Sequence, residues 1–215
     1  MKFLFSIVML LLGTSTLAGA YEDYFAAVKN DDTRVVTNLL FRGFDPNTVD
    51  ANGLTGLLIA SRDGSLKVAA LLLSQKKLAI EARSPQDENA LMMAALNGYE
   101  PLAKTLIDKG ADVNKTGWAP LHYAATKGNI AIIRLLLENH AYIDAESPNK
   151  TTPLMMAAMY GTAEAVKLLV EEGADIAIKN EQGLTALDFA NRASREESAA
   201  FLAKIIESKR PKGSW

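Results

Sequence analysis

Two histidines are the side chains in this sequence best suited to acid–base catalysis or metal binding. His122 and His140 do not share the i, i+4 spacing that places two imidazoles on one helix face, and no EF-hand loop accompanies them. Cysteine is absent, which excludes a thiolate nucleophile, a disulfide and a cysteine-bound zinc. No serine lies in a G-x-S-x-G elbow, and no glycine-rich loop is placed to hold phosphate. We therefore predict that the protein is not an enzyme and has no catalytic, cofactor-binding or metal-binding residues.

A group of methionines offers one metal site that would need neither histidine nor cysteine. Thioether sulfurs bind Cu(I). The same flexible side chains also fill gaps between stacked helices. We favour packing over copper for this group, which comprises Met92, Met93, Met155, Met156 and Met159.

These residues belong to a repeated pattern that must position them. The segment APLHYAATKG at residues 119–128 recurs as TPLMMAAMYG at residues 152–161, and weaker copies occur elsewhere. A fixed period in this range indicates a repeat architecture. Each unit is predicted to form a helix, a tight turn, a second helix and an extended loop, which we call the finger. The leucines that mark the five copies are 34, 30, 33 and 33 residues apart: Leu57, Leu91, Leu121, Leu154 and Leu187.

The fourth repeat shows the predicted elements most clearly. Pro120 stands where a first helical residue belongs, because the N–H that it lacks would be unpaired there. The first helix is predicted to run to about Lys127 and to end at Gly128, which can take a positive φ. The second helix is predicted from Ile130 to about Asn139.

Several repeats depart from this pattern. Asp31 and Ser194 replace the first-turn glycine in the first and last repeats, where atypical units are expected because one face meets water. The finger at residues 114–118 is three residues shorter than its neighbours and should project less. The second repeat has SQKKL at residues 74–78 in place of the usual turn, so its second helix should run longer or end irregularly.

The pattern T-P-L-H-x-A-A, followed by glycine, paired leucines and G-A-D-V-N, resembles the ankyrin-repeat family over residues 21–206. The closest stretches are LHYA at residues 121–124 and GADVN at residues 110–114. The resemblance implies an all-α solenoid of about six helix-turn-helix units with short β-hairpin-like fingers. It also implies that His122 hydrogen-bonds the backbone of a neighbouring turn. His140 replaces a turn glycine and is predicted to be exposed.

The two ends fall outside the repeats. Residues 1–20 combine Lys2, a ten-residue apolar run and a small-x-small site, so we predict a signal peptide cleaved before Tyr21. An uncleaved anchor is the alternative, but the apolar run is short of the ~20 residues that span a membrane. Export without cysteine suits the periplasm, although secretion from a eukaryotic cell is also compatible. Residues 207–215 are predicted to be a disordered basic tail.

The resemblance implies a protein partner bound through the fingertips and the concave face of the first helices. A net charge of −2 offers no basic field for nucleic acid, and no membrane contact is predicted after cleavage. Oligomeric state is left open. The partner-binding candidates are Arg62, Asp63, Leu96, Asn97, Trp118, Thr126, Lys127, Met159 and Tyr160. Further finger positions are Asn52, Leu54, Gln86, Glu88, Asn149, Thr151, Gln182 and Leu184.

Four apolar candidates come from three successive repeats that should align side by side: Leu96, Trp118, Met159 and Tyr160. Apolar anchors within a polar rim are typical of an interface centre. The alternative for Trp118 is that its ring folds inward beside Pro120 and Tyr123. We hypothesise a non-catalytic, exported binding module that supports a periplasmic enzyme, for example in stress defence, or acts as an immunity protein. The alternatives are an enzyme or small-ligand carrier with a pocket between fingers and first helices, and a secreted effector that binds host proteins.

Overall fold

The computed structural model describes residues 19–209, and every regular element in that range is an α-helix. Six helix pairs follow one another, which confirms the predicted all-helical repeat fold. The one β-type pairing in this range is an isolated antiparallel bridge between Val49 and Thr55. The helices are α1 (residues 19–29 as described), α2 (Thr33–Phe41), α3 (Gly56–Asp63), α4 (Leu66–Leu73), α5 (Ala90–Asn97), α6 (Glu100–Asp108), α7 (Pro120–Lys127), α8 (Ile130–Glu138), α9 (Pro153–Tyr160), α10 (Ala163–Glu171), α11 (Ala186–Arg192) and α12 (Glu196–Ser208).

The chain divides into two compact units, with the boundary between Ala90 and Leu91. In unit 1, α4 packs on α2 and α3. In unit 2, α9 lies between α7 and α11, while α10 lies between α8 and α12. The first helices and the second helices of unit 2 therefore form two layers.

The leucines that mark the repeats lie in the cores of these units. Leu57 in unit 1 and Leu91, Leu121 and Leu154 in unit 2 are buried, whereas Leu187 in the last repeat is only half-buried. A terminal repeat lacks a neighbour on one side, which accounts for the difference.

Threonine and proline set where the first helices begin. Thr152 and Thr185 accept a hydrogen bond through Oγ1 from the backbone N–H three residues later, at 3.4 Å in both cases. Such N-caps satisfy backbone donors that have no partner inside the helix. Pro120 occupies the first helical position of α7, as predicted, and Pro153 does the same in α9.

The turns between paired helices keep their conformation even where glycine is replaced. Asp31 and Ser194 both adopt a φ of 54°, in the left-handed region. Gly161 is different, since its φ of −82° suits any residue. A Cβ atom at Gly161 would nevertheless lie within van der Waals overlap of the Ala125 carbonyl oxygen. Close approach between two repeats therefore requires glycine at this position.

Four fingers share one hydrogen-bond pattern. In each, the backbone N–H of the first residue donates to the carbonyl four residues later, and the side-chain oxygen of that first residue accepts from backbone N–H groups of the same turn. This pattern gives the predicted hairpin-like finger without a strand. The first residues are Asp50, Ser84, Ser147 and Asn180.

Asparagines link one repeat to the next. In unit 2, Asn114 donates from Nδ2 to the carbonyl of His140 at 2.8 Å and accepts the N–H of Tyr142 at 2.7 Å. In unit 1, Asn47 makes the same pair of bonds to Lys77 and Ala79. The asparagine of the G-A-D-V-N motif therefore sets the spacing between neighbouring units.

The ends of α4 and α12 differ in part from the sequence predictions. The second helix of the second repeat is not longer, because α4 ends at Leu73. The residue after its C-cap, Gln75, does not take the positive φ that Gly43, Gly110, His140 and Gly173 adopt at the same place in other repeats. The end of α4 is irregular, which was the other outcome predicted. Helix α12 continues to Ser208, so residues 207 and 208 of the predicted tail are helical. Residues 1–18 of the predicted signal peptide and residues 210–215 lie outside the described residues.

Between residues 19 and 209, no helix combines the length and the apolar character needed to cross a bilayer.

Candidate functional site

His122 lies in the first turn of α7 and joins two neighbouring fingers. Its Nδ1 atom accepts a hydrogen bond from the backbone N–H of Ala119 at 3.1 Å, and its Nε2 atom lies 2.9 Å from the carbonyl oxygen of Thr151. Burial of the side chain lowers the pKa of the imidazole. A neutral ring with its proton on Nε2 satisfies both backbone groups. The predicted backbone role of His122 is therefore confirmed.

Trp118 lies at the end of the shortened finger, half-buried against His122. The two ring centroids are 5.2 Å apart and the ring planes meet at 73°, which is the favourable edge-to-face arrangement. The sequence left packing and partner binding open for this side chain. In the structure the indole contacts His122 and also lines two hollows in the surface of unit 2.

The first hollow, which we call the apolar hollow, has a volume of about 230 Å³. Two polar lining residues have hydrogen-bond partners within the protein: His122 as above, and Thr126, whose hydroxyl donates to the His122 carbonyl at 2.7 Å. An occupant would therefore meet carbon and sulfur almost everywhere. The lining residues are Leu96, Trp118, His122, Tyr123, Thr126 and Met156.

The second hollow, which we call the amide hollow, has a volume of about 280 Å³. Trp118 and Met156 line both hollows and therefore form the wall between them. Finger residues supply amide and hydroxyl groups here, α9 and α11 supply large side chains such as Met159 and Phe189, and α11 adds the charged Arg192. The lining residues are Trp118, Asn149, Thr151, Met156, Met159, Tyr160, Asn180, Gln182, Leu184, Phe189 and Arg192.

Two asparagines of the amide hollow are held in one orientation by their own fingers. Oδ1 of Asn180 accepts the backbone N–H groups of Gln182 and Leu184, both at 3.0 Å. Oδ1 of Asn149 accepts the Ser147 hydroxyl at 2.6 Å and the N–H of Thr151 at 3.3 Å. Because the amide oxygens face these turns, the Nδ2 donors point away from them.

The ends of the first helices are also held from the following repeat. Nδ2 of Asn129 donates to the carbonyls of Ala95 at 2.6 Å and Leu96 at 3.2 Å. The Arg195 guanidinium donates to the carbonyls of Met159 at 3.2 Å and Tyr160 at 3.3 Å. These carbonyls have no partner within their own helix. The bonds hold the backbone of residues whose side chains line the hollows.

The structure brings together most of the predicted candidates of unit 2 but not all. Leu96, Trp118, Thr126, Met159 and Tyr160 line the hollows, and the Tyr160 side chain is the most open of them, at 52% exposed. The other two candidates of this unit, Asn97 and Lys127, are exposed at the ends of α5 and α7 and line neither hollow.

The remaining candidates, Arg62 and Asp63, lie in unit 1. Their side chains form an ion pair with each other at 2.7 Å. The other finger positions of that unit, Asn52, Leu54, Gln86 and Glu88, likewise contribute to neither hollow of unit 2.

Sequence analysis missed several lining residues. Tyr123, Met156 and Phe189 each follow the repeat leucine by two positions, and all three are half-buried. The signal was present in the repeat register, because one column of the alignment holds a large apolar residue in three successive repeats. Asn180 was also missed, since a finger asparagine is typical of a turn.

The described residues offer little support for catalysis. Among residues 19–209, no group of three or more histidine, aspartate or glutamate side chains could hold a metal ion. Both ring nitrogens of His122 are engaged by backbone groups, so neither is available to activate a nucleophile. The arrangement can bind apolar side chains of another molecule and donate hydrogen bonds to polar acceptors beside them.

Comparisons with known proteins extend these observations. A family model described as "Ankyrin repeats (3 copies)" matches residues 24–117, 76–147 and 121–210. The chain is 34% identical to the mouse nuclear factor NF-kappa-B p105 subunit over 153 residues, which is 68% of this chain and 16% of that protein. It is 30% identical to the tyrosine-protein kinase Shark of Drosophila melanogaster over 198 residues, which is 90% of this chain and 21% of that kinase. The chain thus spans only a small part of these curated relatives.

A solved structure is similar over most of its length. One chain of the complex between a predatory endopeptidase from Bdellovibrio bacteriovorus and an immunity protein superposes with a TM-score of 0.74. The match is 31% identical in sequence and covers 85% of this chain and 97% of that one.

Proposed function

The chain belongs to the ankyrin-repeat family, and from this premise we propose that it is a non-catalytic module that binds a protein partner through the two hollows of unit 2. One observation carries the proposal. Aromatic, methionine and leucine side chains from successive repeats meet in one place, around the wall formed by Trp118 and Met156. Large side chains of this kind supply most of the energy of protein interfaces.

The rigidity of the site supports the same proposal. Backbone hydrogen bonds fix the fingers, and Asn129 and Arg195 hold the ends of the helices that carry Leu96 and Tyr160. A surface that is already ordered loses little conformational entropy when a partner binds. Rigid support would therefore favour affinity.

We further propose that the partner is an endopeptidase and that the chain acts as an immunity protein, which binds the enzyme and blocks its action on the producing cell. The similar solved structure is a complex of an endopeptidase with an immunity protein, and the match covers nearly the whole of one of its chains. Support of another exported enzyme is the second candidate, because the leader-like residues 1–20 favour export to the periplasm. N-terminal sequencing of the protein purified from the cell envelope tests the export proposal.

A crosslinking experiment in intact cells tests the binding proposal. A photo-reactive phenylalanine analogue is placed at Tyr160 and, in a control protein, at Tyr142. Tyr142 is a suitable control because its side chain is 68% exposed, lies in the same unit and lines neither hollow. We expect a crosslinked partner from position 160 and none from position 142. Mass spectrometry then identifies the partner.

The partner is next purified and its activity is measured with and without the protein. An endopeptidase that is inhibited by wild-type protein supports the immunity role. Tyr160→Ala should weaken inhibition about 30-fold, the effect of losing ~2 kcal/mol at an interface hot spot, whereas Tyr142→Ala should not. Equal crosslinking from both positions would contradict the assignment of the surface. A partner without hydrolase activity would contradict the immunity role and leave the second candidate.

A further inference from the structure

We infer that the amide hollow recognises a carboxylate of the partner, placed next to an apolar side chain, so that the bound segment of the partner is acidic. The inference rests on the proposed function, because it specifies the chemistry of the segment that fills the hollows of unit 2. Three hydrogen-bond donors of the amide hollow and the neighbouring apolar hollow support the inference.

The first donor is the amide of Asn180. This side chain is only 6% exposed, and its Oδ1 atom already accepts two backbone N–H groups. Its Nδ2 donors face away from that turn, and the residue lines the amide hollow. Among the described residues, Nδ2 of Asn180 is not one of the buried side-chain atoms that lack a hydrogen bond, so this donor is open to the hollow and can meet an acceptor that enters it.

The second donor is the amide of Asn149, on the neighbouring finger. Its Oδ1 atom is engaged by the Ser147 hydroxyl and the Thr151 N–H, so this amide also offers Nδ2. Two successive fingers therefore present N–H groups to one hollow. An occupant that brought only donors would leave them unmatched.

The third donor is Arg192, the sole charged residue among the described residues that line the amide hollow. The nearby carboxylate of Asp188 interacts with Arg192, but it accepts the N–H and the hydroxyl of Thr185 at 2.8 Å and 2.7 Å. Among the described residues, no hydrogen bond or ion pair within 4.0 Å joins the exposed Arg192 guanidinium to Asp188, so the guanidinium retains donors for an incoming group. A carboxylate accepts hydrogen bonds from guanidinium and amide together, whereas a cation would be repelled.

The apolar hollow sets the direction of the bound segment. Its lining carries no charge, since burial holds His122 neutral, and it lies on the other side of the wall formed by Trp118 and Met156. An apolar side chain of the partner suits this hollow, and the carboxylate suits the end near Arg192. The segment would therefore lie across the repeats with its acidic residue towards the last one.

A selection from random peptides tests this inference even while the partner is unidentified. Phage-displayed peptides are selected on the purified protein, and the enriched sequences are synthesised with a fluorescent label. We expect aspartate or glutamate next to phenylalanine, leucine, methionine or tryptophan. Fluorescence anisotropy should show binding that is about tenfold weaker when the acid is replaced by its amide, because charge-assisted hydrogen bonds are lost.

Two arginine variants separate recognition of the carboxylate from general charge. Arg192→Gln should remove the preference for acid over amide. Arg134→Gln is the matched control, since Arg134 is an exposed arginine of the same unit that lies on α8 and lines neither hollow. It should keep the preference.

The outcomes also distinguish the inference from the proposed function. Peptides that require Tyr160 but show no preference for acid, or whose preference survives Arg192→Gln, overturn the inference while the binding surface stands. Peptides that bind equally well to Tyr160→Ala, or a selection that enriches none, count against both.

Discussion

Replacing His122 by phenylalanine is expected to destabilise the protein substantially while keeping a ring of similar size in the core. The imidazole accepts from the N–H of Ala119 and donates to the carbonyl of Thr151, and the side chain is buried. Phenylalanine can do neither. The buried N–H of Ala119 would then lack a partner, which costs about 1–3 kcal/mol. The carbonyl of Thr151 would keep the N–H of Ser147 and lose one of its two hydrogen bonds, worth about 0.5–1.5 kcal/mol, so the total loss should be roughly 1.5–4.5 kcal/mol.

Met155 offers a matched control because it occupies the same position in the next repeat. Its sulfur lies 3.4 Å from the N–H of Thr152, a weak acceptor at a long distance. Met155→Leu conserves volume and should cost less than about 1.5 kcal/mol. The contrast between the two variants isolates the hydrogen bonds of His122 from the effect of changing a buried side chain.

The pH dependence provides a second observable for the same residue. Burial lowers the pKa of His122 in the folded protein below its unfolded value of about 6.5. Above pH 6.5 the histidine is neutral in both states, and its contribution to stability is complete. As the pH falls below 6.5, the unfolded state binds the proton first and the free energy of unfolding decreases, until the lowered pKa is reached. The His122→Phe variant should lack this component.

Urea unfolding, followed by circular dichroism at several pH values, measures both effects. The free energy of unfolding should be lower in His122→Phe, and the difference from wild type should narrow as the pH falls below 6.5. A cost below about 1 kcal/mol, or the same decrease with pH in both proteins, would refute the assignment of the two hydrogen bonds.

Two other variants test contacts between repeats. Gly161→Ala places a Cβ atom against the Ala125 carbonyl oxygen and should cost about 1–3 kcal/mol, seen as a melting temperature lower by roughly 2–4 °C per kcal/mol; wild-type stability would contradict the close approach. Gly110→Ala is the control without such a contact: φ is +91° and no atom lies within 4 Å, so the variant should cost only about 1 kcal/mol, from backbone strain alone. Arg195→Gln should accelerate amide hydrogen exchange at the end of α9, because the bonds to the Met159 and Tyr160 carbonyls are lost. The free energy of unfolding should fall by less than about 1 kcal/mol, since the Arg195 side chain is exposed. Unchanged exchange would show that these bonds do not stabilise the end of α9.

Local sequence signals were sufficient for the helices of each repeat. Pro120 begins α7 and Gly128 ends it with a φ of 68°, because proline and glycine restrict or permit backbone conformations regardless of distant contacts. The register of the leucines likewise identified the buried layer. Local signals did not explain Gly161. It has the same place in the pattern as Gly128, but glycine is required there by a contact with another repeat.

The candidate site was predictable only in part. Sequence spacing aligned Leu96, Trp118, Met159 and Tyr160, and all four line the hollows. It did not indicate that Trp118 would pack on His122 and still border both hollows.

The sequence by itself determined the repeat, its period, the helix ends and the column of apolar residues, because these depend on residue types at short and regular separations. Tertiary structure alone decided which side chains surround one space and which way the amides of Asn149 and Asn180 point. The physical reason is that a hollow is bounded by residues from several repeats, and a hydrogen bond orients an amide only once its partner is in place.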